Sequence, residues 1–338
     1  MPMAADEARC GGCGAKIGPE ALAAALAGLA PAERADIPLG MGAADDAAVA
    51  LPPPGMAVVQ SVDFFRSFLD DPYRFGQVAA AHALSDLYAM GAAPWTAMAV
   101  ATVPFMHGRK MGDELAAMMQ GAAEVLAAAG CALVGGHSGE GAELGLGFAV
   151  SGLARPAEIW RKSGLRVGDA LVLTKPLGTG IVLAGAMRGE ARSEWLVAAI
   201  DCMVRTNAAA VPVLRAHGVV ACTDVTGFGL GGHLAEMLCA SGVAARISAD
   251  LPALPGARAL AGLGIASTLA PANLAALDVS TAQGLELMVD PQTSGGLLAG
   301  VADGDAAVAA LRAVGVEAAV IGRVIAGVAG RIVLESTE

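Results

Sequence analysis

At 338 residues, with 55% hydrophobic and 16% charged positions, the chain is long enough for two domains with cores of their own and is not a disordered polymer. Its formal net charge of −11 argues against the basic stripe of a nucleic-acid-binding surface, but not against phosphate ligands, because bound cations can invert the sign of an acidic pocket. Six scattered cysteines (10, 13, 131, 202, 222 and 239) argue against a disulfide framework, and the polar start MPMAADEARC lacks a signal-peptide pattern, so a reducing, cytoplasmic setting is expected.

The first 18 residues form a glycine-loosened leader, ending ARCGGCGAKIG, that carries Cys10, Cys13 and Lys16 ahead of any hydrophobic pattern. A helix is predicted from Pro19 through PEALAAALAGL. DDAAVALPPPGMAVVQSVD reads as two strands around a Pro-Gly turn, hence a β-hairpin. A helix follows over 75–90, then the strand WTAMAVATV, the helix KMGDELAAMMQGAAEVLAAAG, and the strands CALVGG and LGLGFAVSGLA around a glycine-rich loop. RPAEIWRKSGLRVGD is a connector, which sets an N-terminal domain at 19–157 against a C-terminal α/β domain at 165–338. Two long uncharged stretches, 87–108 and 259–277, are broken by Pro94 and Pro104 and by Pro271 and Asn273, so both read as buried soluble structure and no membrane association is expected. Cys131, Cys202, Cys222 and Cys239 sit in apolar segments and are expected in the core, and Trp95, Trp160 and Trp195 are expected to pack without a basic partner.

The acids carry the chemistry. If the hairpin turns near residues 54–55, Asp46 and Asp63 face each other at its open end, where opposed like charges are unfavourable unless a cation or solvent meets them. His82 and Asp86, four apart, share a face of the 75–90 helix; the acid has little use on an alanine- and leucine-rich helix unless a cation or donors meet it, whereas His82 reads as an ordinary packed or surface residue. Asp224 ends a strand in VVACTDVTGFGLGGHLAEML just before a helix that begins near Gly229. Oxygen ligands from several segments, with few histidines, suit Mg²⁺ better than Zn²⁺, and Mg²⁺ held this way usually serves substrate phosphates.

Two motifs compete. Cys10-x-x-Cys13 has neither a second CxxC nor a thioredoxin-like surround. Gly227-x-Gly229-x-x-Gly232, followed by a strand ending at Asp250, imitates a dinucleotide-binding fingerprint, although Asp224 beside it would repel a pyrophosphate that lacked a metal. There is no Walker A motif, since Lys175 in TKPLGTG precedes its glycines. DPQTSGG reads as a helix-capping turn in which Asp290 and Ser294 bond locally.

With Cys13-Gly14-x-Lys16, DDAAV, VDFF, ALSDLYAMGA, GGHS, TDVTGFGLGGHL and DPQTSGGLL in order, the chain resembles the selenophosphate synthetases, relatives of the aminoimidazole-ribonucleotide-synthetase-like ATP-binding enzymes, from about residue 10 to 334. The resemblance implies an α+β fold of two domains, with the N-terminal sheet pairing into a barrel across a homodimer and a C-terminal α/β layer domain. It implies conversion of ATP, selenide and water to selenophosphate, AMP and orthophosphate, with Mg²⁺, and leaves room for a monovalent cation and a selenium-delivery protein. By motif, Cys13 and Lys16 are catalytic, and Asp46, Asp86 and Asp224 are metal ligands. The nucleotide-contacting positions are Asp45, Asp63, Gly135, Gly136 and His137, joined by Lys16 and Asp86. The chain departs from the family at Ala15, where a second cysteine is common, and at His82, where asparagine is frequent. Beside this reading stand another ATP-dependent kinase or ligase of the same superfamily, a non-catalytic nucleotide-binding selenium carrier, and a Rossmann oxidoreductase.

Overall fold

Prolines and glycines punctuate the chain into short elements, and the computed structural model describes them over residues 15–43, 46–106, 109–279 and 285–335. The described residues divide into two units. The first gathers those up to Leu51 with Val62–Ala80 and Thr96–Ala149; the second gathers Pro52–Ser61, Ala81–Trp95 and the chain from Val150 onward. Among the described residues no helix is long and apolar enough to cross a membrane.

Helix α1 (Pro19–Leu26) starts on a proline, whose missing N–H is no loss in a first turn. Strand β1 (Ala57–Arg66), helix α2 (Pro72–Ala89), strand β2 (Ala93–Pro104), helix α3 (Lys110–Ala128), strand β3 (Ala132–Gly141) and strand β4 (Gly145–Ala154) follow. The four strands form one sheet in the order β1-β4-β2-β3, with β2 and β3 parallel and joined through α3. Within the first unit α2 and α3 meet backbone to backbone. A Cβ at Gly76 would lie 1.9 Å from the Met118 carbonyl oxygen, and one at Gly121 would lie 2.0 Å from that of Tyr73. Phe65, Phe68 and Phe75 pack as a trio with 5.8 Å between ring centroids.

The predicted hairpin is not formed. β1 pairs with β4 in the sheet order, and the segment before it is bend and turn, with Val49 in a single antiparallel bridge to Leu39. Pro52, Pro53 and Pro54 have no N–H to give to a ladder, so the chain cannot run as a paired strand into β1. Asp46 therefore does not face Asp63 across a hairpin.

The second unit holds β5 (Ala170–Leu173), α4 (Thr179–Met187), α5 (Ser193–Val204), α6 (Ala210–Ala216), β6 (Ala221–Asp224), α7 (Gly229–Ser241), β7 (Ala244–Ile247), α8 (Ala257–Gly262), α9 (Ala270–Ala275), α10 (Glu286–Val289), β8 (Leu297–Val301), α11 (Gly304–Ala313), β9 (Ala319–Ile325) and β10 (Ile332–Leu334). Its six strands run in the order β10-β7-β9-β5-β8-β6. The alternation of a strand sorts its side chains to two faces. Leu171 and Leu173 of β5 join the core under α4, α5, α7 and α8, whereas Ala170 and Val172 join the core under α6 and α11. The result is helices on both faces of a mostly antiparallel sheet.

This order removes the dinucleotide-binding reading. β6 and β7, the strands on either side of α7, are separated in the sheet by β8, β5 and β9, so they are not the adjacent parallel strands a Rossmann unit needs. The glycines have a packing cause instead. Gly229 has φ +68° and lies against the Met288 and Asp290 carbonyls, and Gly231 leaves room for Leu277. Asp250, the candidate ribose ligand, is exposed and paired with Arg258 at 2.8 Å.

Cys131, Cys202 and Cys222 are buried as expected, but Cys239 is exposed near the end of α7. The tryptophans are not without basic neighbours: the Arg192 guanidinium stands 5.1 Å over the Trp195 ring and that of Arg215 5.2 Å over Trp160.

Candidate active site

Cys10, Cys13 and Asp45 lie outside the described residues. The remaining predicted residues fall into two groups, one in each unit.

In the first unit, the segment expected to be a glycine-rich loop is strand. β3 continues through Gly135, Gly136 and His137 to Gly141, pairing Gly136 with Ala99 and His137 with Val100, and its register shifts opposite Ala97 and Met98. Only glycine fits at 136, because a Cβ there would lie 2.4 Å from the Ala99 carbonyl oxygen. Lys16 forms an antiparallel bridge with Gly139 of this strand, two residues beyond His137. The leader's lysine and GGHS are thus neighbours through the backbone, while the Lys16 side chain is exposed. Asp63 is half-buried on β1, and Asp46 is exposed in the bend before Val49.

In the second unit, Asp86 is half-buried on α2 and its Oδ2 accepts from the Ser61 hydroxyl. Ser61 was not foreseen; its one sequence signal is its place two residues before Asp63. One turn earlier, His82 Nδ1 accepts the Ser294 N–H at 3.0 Å, the ordinary packed role expected for it. Asp224 closes β6 with 6% exposure, and among the described residues nothing donates a hydrogen bond to its carboxylate. Its charge is felt nearby: it works against the burial that pushes the Lys175 amine and the His233 imidazole down. A carboxylate that no described residue meets with a donor is open to a cation or to solvent.

Among the described residues no group of three or more His, Cys, Asp or Glu side chains could hold a metal ion by itself. The donors present are single acids on separate segments, and Mg²⁺ binds through one or two carboxylates plus substrate phosphates, so their chemistry fits that ion.

The DPQTSGG turn does not cap a helix of its own. Asp290 Oδ2 accepts from Gly180 N at 3.1 Å, and Gln292 Oε1 accepts from Gly178 N and Thr179 N at 3.0 and 3.2 Å, so both side chains cap the distant helix α4 and not a local one. Lys175 donates from Nζ to the carbonyls of Arg205 and Ser294. Burial lowers its pKa to about 8. Lys175, Arg205 and Asn207 line a cavity of about 250 Å³. A larger one of about 570 Å³, lined by Trp195, Pro252 and Arg258, holds none of the predicted catalytic or metal-binding residues.

The two-unit α+β architecture is that of the AIR synthase related proteins: residues 44–154 match their N-terminal domain family and residues 166–335 their C-terminal domain family. Solved structures with this fold include a thiamine-monophosphate kinase from Stenotrophomonas maltophilia (TM-score 0.71, 22% identity, 90% of this chain and 92% of that one) and the hydrogenase maturation protein HypE of E. coli (TM-score 0.71, 22% identity, 94% and 92%). Sequence relatives are nearer. The selenide, water dikinase of Pelobacter propionicus is 44% identical over 96% of both chains, and that of Nitratidesulfovibrio vulgaris 42% identical over 97% of both. The chain belongs to the selenide, water dikinase family.

Proposed function

We propose that the chain makes selenophosphate from ATP, selenide and water and releases AMP and orthophosphate. The observation that carries this reading is the end-to-end likeness to selenide, water dikinases. One P–O bond of the triphosphate breaks as a P–Se bond forms, and water hydrolyses the other, so that selenophosphate, orthophosphate and AMP account for the three phosphorus atoms.

In this reading Cys13, a thiol beside a lysine in a glycine-rich leader, holds selenium or delivers it to the phosphoryl group. Lys16 faces the triphosphate, and its backbone bridge to Gly139 supports a place beside the GGHS strand. Gly135, Gly136 and His137, with Asp45 and Asp63, take the nucleotide. Asp46, Asp86 and Asp224 hold Mg²⁺; the support for this is the place of Asp224 at the end of β6, where no described residue donates to its carboxylate. When bound, Mg²⁺ supplies charge neutralisation at the phosphate oxygens. Ser61 fixes the orientation of Asp86 through its hydroxyl.

The same proposal includes a homodimer in which two N-terminal sheets close a barrel, and a cytoplasmic setting. The support for the dimer is an exposed apolar face: Val62 and Phe64 of β1 are 67% and 48% exposed, and Met98 and Val100 of β2 are exposed with them.

The test is an anaerobic incubation with ATP, Mg²⁺ and selenide, followed by chromatography of the adenine nucleotides. Selenide-dependent AMP is expected. ADP as the sole product would assign a relative with another acceptor, and intact ATP bound by folded protein would assign a carrier.

A further inference from the structure

We infer that Asn207 is a positioning residue that ties the segments bearing Asp86 and Asp224 to one loop. Asn207 lies between α5 and α6, is 4% exposed, and spends both N–H bonds of its amide, one on the Ser85 hydroxyl at 3.0 Å and one on the Gly295 carbonyl at 2.9 Å. Ser85 is fully buried and immediately precedes Asp86. The next carbonyl along the loop, that of Gly296, accepts from Val225 N at 2.9 Å, and Val225 immediately follows Asp224. Gln292 N donates to the Thr226 carbonyl at 2.9 Å, a second tie to the same strand end.

The loop that receives these bonds has no slack. Ser294 has φ +50°, a left-handed conformation that side chains other than glycine rarely adopt. It is held there from both sides, its N–H on His82 Nδ1 and its carbonyl under Lys175 Nζ at 2.7 Å. A Cβ at Gly295 would lie 2.0 Å from the Val225 carbonyl oxygen, and one at Gly296 2.4 Å from Lys175 N. A displacement of the loop therefore moves the Asp224 strand end, and Asn207 couples that end to the α2 turn that carries Asp86. Removing the amide leaves the Gly295 carbonyl and the Ser85 hydroxyl without it in a buried place, so both segments relax. Groups that bond a metal ligand directly are commonly worth about 10-fold or more in metal affinity, and Asn207, which acts one residue further out, is expected to be worth less.

The inference rests on Asp86 and Asp224 being metal ligands, and the test separates the two claims. Mn²⁺, as a paramagnetic probe, is titrated into the full chain with a non-hydrolysable ATP analogue, and free Mn²⁺ is read by electron paramagnetic resonance. Asp224→Asn is expected to weaken Mn²⁺ binding by about 10-fold or more; wild-type affinity in that variant would overturn the metal-ligand reading. Asn207→Ala is expected to weaken it about 3- to 10-fold. Val308→Ala, on the buried face of α11, is expected to lower the melting temperature while leaving Mn²⁺ affinity unchanged, so that general loosening is told apart from positioning. Should Asn207→Ala not fold, Ser85→Ala removes one of the two acceptors and decides the question by the same titration. Mn²⁺ affinity equal to wild type in a folded Asn207→Ala, or in Ser85→Ala, with Asp224→Asn impaired, would overturn the inference.

Discussion

Asp290 Oδ2 accepts the backbone N–H of Gly180 at 3.1 Å across a gap of 110 residues, which caps helix α4 with a carboxyl group that has no exposed surface. The second oxygen, Oδ1, is buried with no hydrogen bond to it. Burial is the main cause that pushes this carboxyl up to about 7 from an ordinary 3.8. The folded state thus keeps a proton that the unfolded chain has already released. The stability this contributes is complete below 3.8 and is lost as the pH rises to about 7, on the order of 4 kcal/mol at full extent. Melting curves of Asp290→Asn against wild type from pH 4 to 8 are expected to show the wild type losing ground with rising pH. Parallel curves would contradict the assignment.

Lys175 works in the opposite sense. Its amine is lowered from 10.5 to about 8 by burial, so its contribution is complete above 10.5 and is lost as the pH falls to about 8. Compared with Lys175→Met, the wild type is expected to gain on the order of 3 kcal/mol between these limits. Denaturant titrations at pH 8 and pH 10 measure the difference, and no change between them would refute it.

The contact of α2 with α3 tolerates no side chain. Gly121→Ala would drive a methyl group into the Tyr73 carbonyl, and a loss of 3 kcal/mol or roughly more is expected as the helices separate or the protein fails to fold. Gly130→Ala, whose Cβ would meet nothing but whose φ is +64°, is expected to cost about 1 kcal/mol. Equal melting temperatures for the two variants would show that the interhelical contact is not the controlling one.

Ser61→Ala removes the hydroxyl that Asp86 accepts. The carboxylate stays but is no longer held, so the Mg²⁺ concentration for half-maximal turnover is expected to rise several-fold while the melting temperature changes by about a degree or two. An unchanged Mg²⁺ dependence would show that Ser61 does not orient Asp86.

What the sequence made legible was local. Asp224 at a strand end, the helix that carries His82 and Asp86, and the helix start at Gly229 all follow from periodicity and punctuation within about 20 residues. The hairpin failed because β1 takes its partner from β4, nearly 90 residues away, a choice that three prolines force but no local pattern names. The false dinucleotide fingerprint failed for the same reason: strand, glycines and helix are all present, and only the sheet order, a non-local property, separates β6 from β7. CALVGG was legible as strand, but its continuation from His137 to Gly141 looked like a loop because glycine is rare in strands; at Gly136 the close approach of Ala99 is what requires glycine. Asn207 and Ser85, 122 residues apart, carry no mutual signal at all in the sequence.

Phosphorus NMR of the full chain, kept anaerobic with ATP, Mg²⁺ and selenide beside a Cys13→Ser sample, reads the transfer to selenium itself. A new signal from phosphorus bonded to selenium is expected, growing in step with AMP and orthophosphate and lost in the Cys13→Ser sample. ATP signals that stay unchanged in the folded wild type, or ADP without a phosphorus–selenium signal, would contradict the proposed synthesis.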